Sequence, residues 1–246
     1  MKTRISSKNP FGIDHMNWAY GWEFIGDNKM VLDYGCFDGK FINALTESKP
    51  VQVFGADKNK DIVNSTNQDN IVHIQKALPF KDGYFDVVTM FEVLEHVHDQ
   101  RYVLTEIRRV LKDGGLLIMS VPQKHVFSFL DYGNWKYIFP KVHRYWYTKR
   151  HSASEYHYRY VDNPNGLIGD VDKEKAWHQH FETGEFSDLL KSCGFEIKDL
   201  DGYGMFALPL ELIKMSLKIS LPNWLARWEM TTFHHVKILC VARKIS

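Results

Sequence analysis

Cysteine is scarce in this chain: Cys36, Cys193 and Cys240 are odd in number, far apart and without metal-ligand spacing. That pattern excludes a disulfide-built scaffold and a cysteine-held metal centre, and a reduced, cytoplasmic setting follows most simply. An excess of charge is also missing. Lys plus Arg number 31 against 30 for Asp plus Glu, a net charge of +1, so no global field points to nucleic acid, and any basic surface must be local. Residues 1–30 are polar and aromatic without an apolar core segment, so no signal peptide is predicted. Nor is there a clean membrane span. The most apolar stretch, 205–228, is interrupted by Glu211, Lys214 and Lys218 and broken by Pro209 and Pro222. It reads as an amphipathic helix over about 210–221, packed on the protein, lying on a membrane surface as a peripheral contact, or lining a lipid-like pocket.

What remains is an ordinary globular composition, 44% hydrophobic and 25% charged over 246 residues, enough for one large core. Val31 to Tyr34 reads as a short strand ending at a tight turn, and Val51 to Asp57 as a second strand closing on an acid. Ile71 to Ile74 is a third. Phe85 to Phe91 is continuous enough to be buried on both faces, as parallel strands are. Gln100 to Leu111 has helical periodicity and stops at Gly114-Gly115, before a fifth strand over Leu116 to Pro122. A helix over Phe186 to Cys193, a sixth strand over Phe195 to Leu200 and a seventh over Val236 to Ala242 complete the alternation. The pattern predicts an α/β fold with a doubly wound, mostly parallel seven-stranded sheet whose ligand sits at the carboxyl ends of the strands. The organisation divides into an N-terminal segment 1–28, a ligand-binding core 29–122, an insertion 123–177 and a C-terminal part 178–246 that returns to the core.

The insertion is too long for a plain loop. Residues 123–160 contain twelve aromatics, and seven Lys/Arg stand against Asp131 and Glu155. It is predicted to be helical and to lid an acceptor pocket, aromatic faces packing on a sugar or ring and the cations holding phosphate or carboxylate. The alternative is a small helical subdomain with a solvated basic face. Either form offers aromatics for a homodimer contact.

The turn Asp33-Tyr34-Gly35-Cys36-Phe37-Asp38-Gly39 has its glycines four apart, where backbone can approach a ligand and a helix N-terminus follows. It is not the dinucleotide fingerprint, which needs G-x-G-x-x-G, so a nicotinamide oxidoreductase is disfavoured. Four pieces occur in order: Val31–Phe41; Asp57; Leu78-Pro79-Phe80 with the string Phe85 to Val97 (FDVVTMFEVLEHV); and Val110 to Ile118. Together they resemble the class I S-adenosylmethionine (SAM) methyltransferases, nearest the branch with ubiquinone-biosynthesis O-methyltransferases and glycan-pathway methyltransferases. The resemblance is strong over 29–122 and returns at 178–195.

It implies a Rossmann-like methyltransferase fold with SAM as cofactor and S-adenosylhomocysteine as product. Gly35 and Gly39 would admit the amino-acid end and ribose, with Asp33 near the ammonium. Asp57 would accept both ribose hydroxyls, Lys58 would flank the adenine, and Met90, Phe91 and Glu92 would line the sulfonium and methyl. Asp57 as a helix N-cap, and Asp33 as a loop-ordering acceptor, are the plainer readings. His178 and His180 stand before the late helix, where relatives place groups near the reaction centre, and are the candidate bases; His96, His151 and His157 are weaker ones.

Two departures stand out. Phe37 occupies the place of the family's middle glycine, tolerable at negative φ and strained at positive φ. Gln75, Lys76 and Ala77 stand where many members have an adenine-binding acid, leaving that contact to backbone or Gln75. The function implied is methyl transfer to an oxygen of a small-molecule, glycan or lipid-linked acceptor. The alternative is a methyltransferase-fold binding or regulatory protein that has lost catalysis.

Overall fold

A computed structural model describes residues 5–12, 15–124, 139–157, 179–204 and 235–245. Seven helices and seven strands are ordered along these residues: α1 (Met16–Phe24), β1 (Met30–Tyr34), α2 (Lys40–Ser48), β2 (Gln52–Asp57), α3 (Lys60–Thr66), β3 (Ile71–His73), β4 (Phe85–Phe91), α4 (Gln100–Val110), β5 (Leu111–Pro122), α5 (Pro140–Arg150), α6 (Ala153–His157), α7 (Thr183–Ser192), β6 (Phe195–Gly204) and β7 (His235–Lys244). A single 3-10 turn, Leu94–His96, follows β4. The strands form one sheet in the order β3-β2-β1-β4-β5-β7-β6. β1 to β5 pair in parallel, and β7 runs antiparallel to both β5 and β6.

The apolar strands explain the two-sided architecture. Val31 pairs with Val87 and Leu32 with Val88, so adjacent positions point to opposite faces. Val31, Val87, Ile118, Leu239 and Val241 join an apolar cluster with Tyr20 of α1 and Phe41, Ile42 and Leu45 of α2. Leu32, Val88, Leu117, Met119 and Cys240 join the other, with Leu104, Ile107 and Val110 of α4 and Phe186 and Leu190 of α7. Burial raises the Cys240 thiol to about 12, which keeps it protonated in that core. The N-terminal segment belongs to the first cluster, because Ile5, Phe11, Met16 and Ala19 are buried there. Tyr20 donates to Asp199 Oδ2 at 2.6 Å and Tyr203 donates to Asn17 Oδ1 at 2.7 Å, tying α1 to β6. Lys49 Nζ bonds the Trp22 carbonyl at 2.6 Å and also the Ile25 carbonyl, satisfying acceptors at the end of α1.

The predicted strands are all present: β1, β5, β6 and β7 are longer than expected, β2 and β3 one residue shorter, and β4 has the expected bounds. β5 begins at Leu111 rather than Leu116, because Leu111 pairs with Phe85 before the register slips across Lys112–Gly115 to Val87 and Leu116. Of the insertion, α5 and α6 pack through His143, Tyr147 and Tyr156, with ring centroids 5.6 Å apart for both His143–Tyr156 and Tyr147–Tyr156. The rest of the insertion, and the amphipathic helix expected at 210–221, lie outside the described residues. No helix among the described residues is long and apolar enough to cross a membrane.

The segment before β4 is held by one cation. Arg109 of α4 bonds Glu106, Asp82 and the carbonyls of Phe80 and Leu78, each at 2.8–3.0 Å. Those acceptors hold the guanidinium charged and push its pKa further up. Replacing Arg109 with Met keeps the stem and deletes the fork. Unfolding of Arg109→Met followed by heat is expected to show a loss of about 1–3 kcal/mol. At this chain length that lowers the midpoint by about 2–4 °C per kcal/mol.

Candidate functional site

The strand order reverses between β1 and β4, whose crossovers leave in opposite directions. A crevice opens at the carboxyl ends of such a pair. Here it is a cavity of about 800 Å³, lined by Gly35, Phe37, Asp57, Lys58, Phe91, Glu92, Val93 and His96 among others. A smaller cavity of about 340 Å³ shares Tyr34, Lys58, Ile74 and Gln75 with it and runs toward Tyr102 and Glu106.

The wall after β1 is built from backbone. Gly35 donates to the Ala56 carbonyl at 2.7 Å, which presses the turn against β2. Gly35 has φ +79, and a Cβ there would stand 2.3 Å from Val93 Cγ2. Only glycine satisfies both the left-handed backbone and the close approach. Asp57 closes β2 with its carboxylate shared between two turns: Oδ2 accepts from the Phe37 N–H at 2.9 Å and Oδ1 from the Asn59 N–H at 2.8 Å. Asn59, not Asp57, caps α3, accepting from Asp61 and Ile62. The Asp57 carboxylate therefore has outer lone pairs directed toward the cavity it lines.

Five predicted site residues, Gly35, Asp57, Lys58, Phe91 and Glu92, come together around the cavity. Three stand behind its wall. Asp33 is buried, accepts from Thr89 Oγ1 at 2.7 Å and is raised to about 7, chiefly by burial, with the Thr89 bond opposing and the Asp57 charge adding. Gly39, at φ +73, is the N-cap of α2, where a Cβ would meet Ile71 Cδ1 at 2.8 Å. Its glycine serves internal packing. Met90 points into the core because β4 alternates faces, and Phe91 and Glu92 reach the cavity instead.

His180 is partly buried just before the Phe181 bridge to Gln123 at the end of β5, and does not line the cavity. His178 lies outside the described residues. His96 does line the cavity, with the buried Glu95 carboxylate 3.8 Å from its Nε2. Gln75, left open as an adenine contact, lines both cavities.

One part of the site was not foreseen. Glu92 sits at φ +56, and its carboxylate accepts from Ser120 Oγ at 2.7 Å and pairs with Lys237 Nζ. Burial lowers Lys237 to about 8, while the carboxylate beside it favours the charged form. Lys237 arrives on β7, far from the motif in sequence, and no local pattern marks it.

The cavity size suits a nucleoside-like ligand. The glycine cradle, the Asp57 carboxylate at a strand end and the acidic Glu92 fit SAM in its hydroxylated and cationic parts. Fold and site define a Rossmann-like, SAM-binding α/β protein. A family profile for the methyltransferase domain matches residues 17–157, more than half of the chain. The chain belongs to that methyltransferase family, and SAM is the family's cofactor. It is similar to an uncharacterised protein of Methanocaldococcus jannaschii, 27% identical over 188 residues that cover 76% of this chain and 69% of that one. It is also similar to the ubiquinone biosynthesis O-methyltransferase of Colwellia psychrerythraea, 32% identical over 130 residues. That match covers 48% of this chain and only 49% of the relative. Among solved structures, a SAM-dependent methyltransferase from Mesorhizobium loti superposes with a TM-score of 0.57 at 14% identity, covering 95% of this chain and all of that one, a likeness of fold.

Phe37 takes φ +48 with 43% of its surface exposed. A left-handed backbone costs a non-glycine residue about 1–2 kcal/mol, and little burial offsets it here. Phe37→Gly is expected to leave stability unchanged or raise it by about 1 kcal/mol in denaturant unfolding; a clear loss would mean that the ring packs.

Asp33 supplies a pH signature. Its folded pKa, about 7, lies above the ordinary carboxyl value of 3.8, so between those limits the folded chain holds the proton more tightly than the unfolded one. Stability therefore falls as pH rises through that window and levels off above it. Thermal unfolding of the wild type across pH 4–8 is expected to show this fall relative to Asp33→Asn.

Proposed function

We propose that this protein transfers a methyl group from SAM to an oxygen of a small-molecule, glycan or lipid-linked acceptor. The observation that carries the reading is the Asp57 carboxylate, held by the Phe37 and Asn59 N–H groups at the rim of the cavity. In that position it accepts the two ribose hydroxyls with charge-assisted bonds. Gly35 brings backbone against the amino-acid end, with the Asp33 carboxyl behind it. Gln75 and Lys58, which line both cavities, flank the adenine.

The cofactor supplies an electrophilic methyl on a sulfonium, displaced in line and leaving a neutral thioether. The chain's part is positioning and proton transfer. Phe91 and Glu92 face the sulfonium end, the Glu92 carboxylate favouring the cation. Ser120 and Lys237 fix that carboxylate in direction. The acceptor's hydroxyl proton passes to a histidine at the cavity; His96 lines it, as does His73, whose Nε2 lies 3.1 Å from the Lys58 carbonyl, with His178 and His180 as further candidates.

One observation favours a second reading, a methyltransferase-fold protein without catalysis: the strained, exposed Phe37 in the cofactor turn. Calorimetric and thermal-shift titrations separate the two. SAM at about 100 times its Kd is expected to stabilise the wild type by about 2.7 kcal/mol. Asp57→Ala is expected to weaken SAM by about tenfold or more, the loss of charge-assisted bonds; a change within about threefold would overturn the ribose assignment. Glu92→Gln should weaken SAM more than S-adenosylhomocysteine, because only SAM carries the sulfonium charge. No stabilisation by millimolar SAM would sink the enzyme reading.

A further inference from the structure

Helix α5, in the aromatic segment after β5, has two unlike faces. His143 and Tyr147 are buried against Tyr156 of α6. The opposite stripe is Val142, Tyr145, Trp146 and Lys149, spaced i, i+3, i+4 and i+7. Tyr145 is 55% exposed and Trp146 52%, with Val142 and the preceding Phe139 also exposed. A soluble helix ordinarily turns its large apolar residues inward; this one presents them outward.

Lys149 lies within the stripe and Lys141 and Arg150 beside it, while Arg144 leans toward the Tyr156 ring, 5.9 Å away. Lys141, Arg144, Lys149 and Arg150 are all exposed, and the helix contains no acid. Lys149 Nζ stands 4.5 Å from the Tyr145 ring centroid and 5.5 Å from that of Trp146. The nearby carboxylate of Glu155 is engaged on the inner side, by Tyr147 and His151 at 3.3 Å each. Among the described residues no carboxylate pairs with these four cations.

We propose that this face of α5 seats the protein on an anionic lipid surface. Tyr and Trp have apolar bodies and polar edges that suit the headgroup boundary, Val142 and Phe139 enter the acyl edge, and the flanking Lys and Arg meet lipid phosphate and carboxylate. Nucleic acid fits less well. The net charge is +1, and the basic residues here are four on one short helix, with Arg144 5.9 Å from the Tyr156 ring on the inner side, rather than a groove able to follow successive phosphates. The proposal stands apart from the cofactor site, and it favours acceptors that reside in or at a bilayer.

Co-sedimentation of the full chain with vesicles tests it. Vesicles containing about one-third phosphatidylserine are expected to bind at least about tenfold more tightly than pure phosphatidylcholine, and the difference should collapse near 1 M salt. Trp146→Ala with Tyr145→Ala should weaken the partition by about tenfold, through lost apolar burial. Lys149→Glu with Arg150→Glu should weaken it further, by roughly fivefold or more per cation. Each variant is checked for an unchanged SAM thermal shift, which separates failure here from failure of the methyltransferase reading. Equal binding to both vesicles, or to neither, overturns the proposal. So does tighter binding to a single-stranded RNA oligonucleotide that the same variants abolish.

Discussion

The carboxylate of Asp57 is the point on which the site depends. By accepting from Phe37 on one side and Asn59 on the other, it fastens the turn after β1 to the turn after β2. Without that bridge, the two loops that flank the crevice would be joined only through the Gly35 and Cys36 bonds to the Ala56 carbonyl. The carboxylate thus orders the walls and itself lines the cavity between them. A single acid doing both explains why the turn tolerates Phe37 in a left-handed backbone: the N–H must point at Asp57, whichever side chain follows it.

Much of this was legible from local patterns. β1, β2 and β4 are nearly continuous apolar runs because both faces are covered, and Asp57 at the end of β2 marks where its run meets the crevice. That Gly35 and Asp57 border the cavity follows from spacing, since their constraint is carried by neighbouring backbone. That Met90 and Gly39 stand behind its wall does not. Whether a residue at the end of β4 faces cavity or core is decided by the pleat, one position either way, and Gly39 is required by Ile71, which packs on it from β3.

The polar corner of Glu92, Ser120 and Lys237 was illegible for a topological reason. Its three members come from the turn after β4, from β5 and from β7, and Lys237 arrives opposite Pro122 only because β7 enters between β5 and β6. Sequence offers no period that pairs residue 92 with residue 237. The same holds for α5: the aromatic and basic content of its segment was plain, but which residues face outward depends on how α5 leans on Tyr156.

The placement of β7 also governs when the molecule can become itself during synthesis. Among the described residues β6 pairs only with β7, and β5 keeps an open edge until β7 reaches it. A ribosome that has made everything through Gly204 therefore holds the strands of a five-stranded sheet whose β5 border is still uncovered, and a sixth strand whose partner β7 is not yet made. Such a border invites pairing with another nascent chain. Between Gly204 and His235 the growing polypeptide must be kept from its neighbours, and the last strand acts as the clasp that ends that exposure.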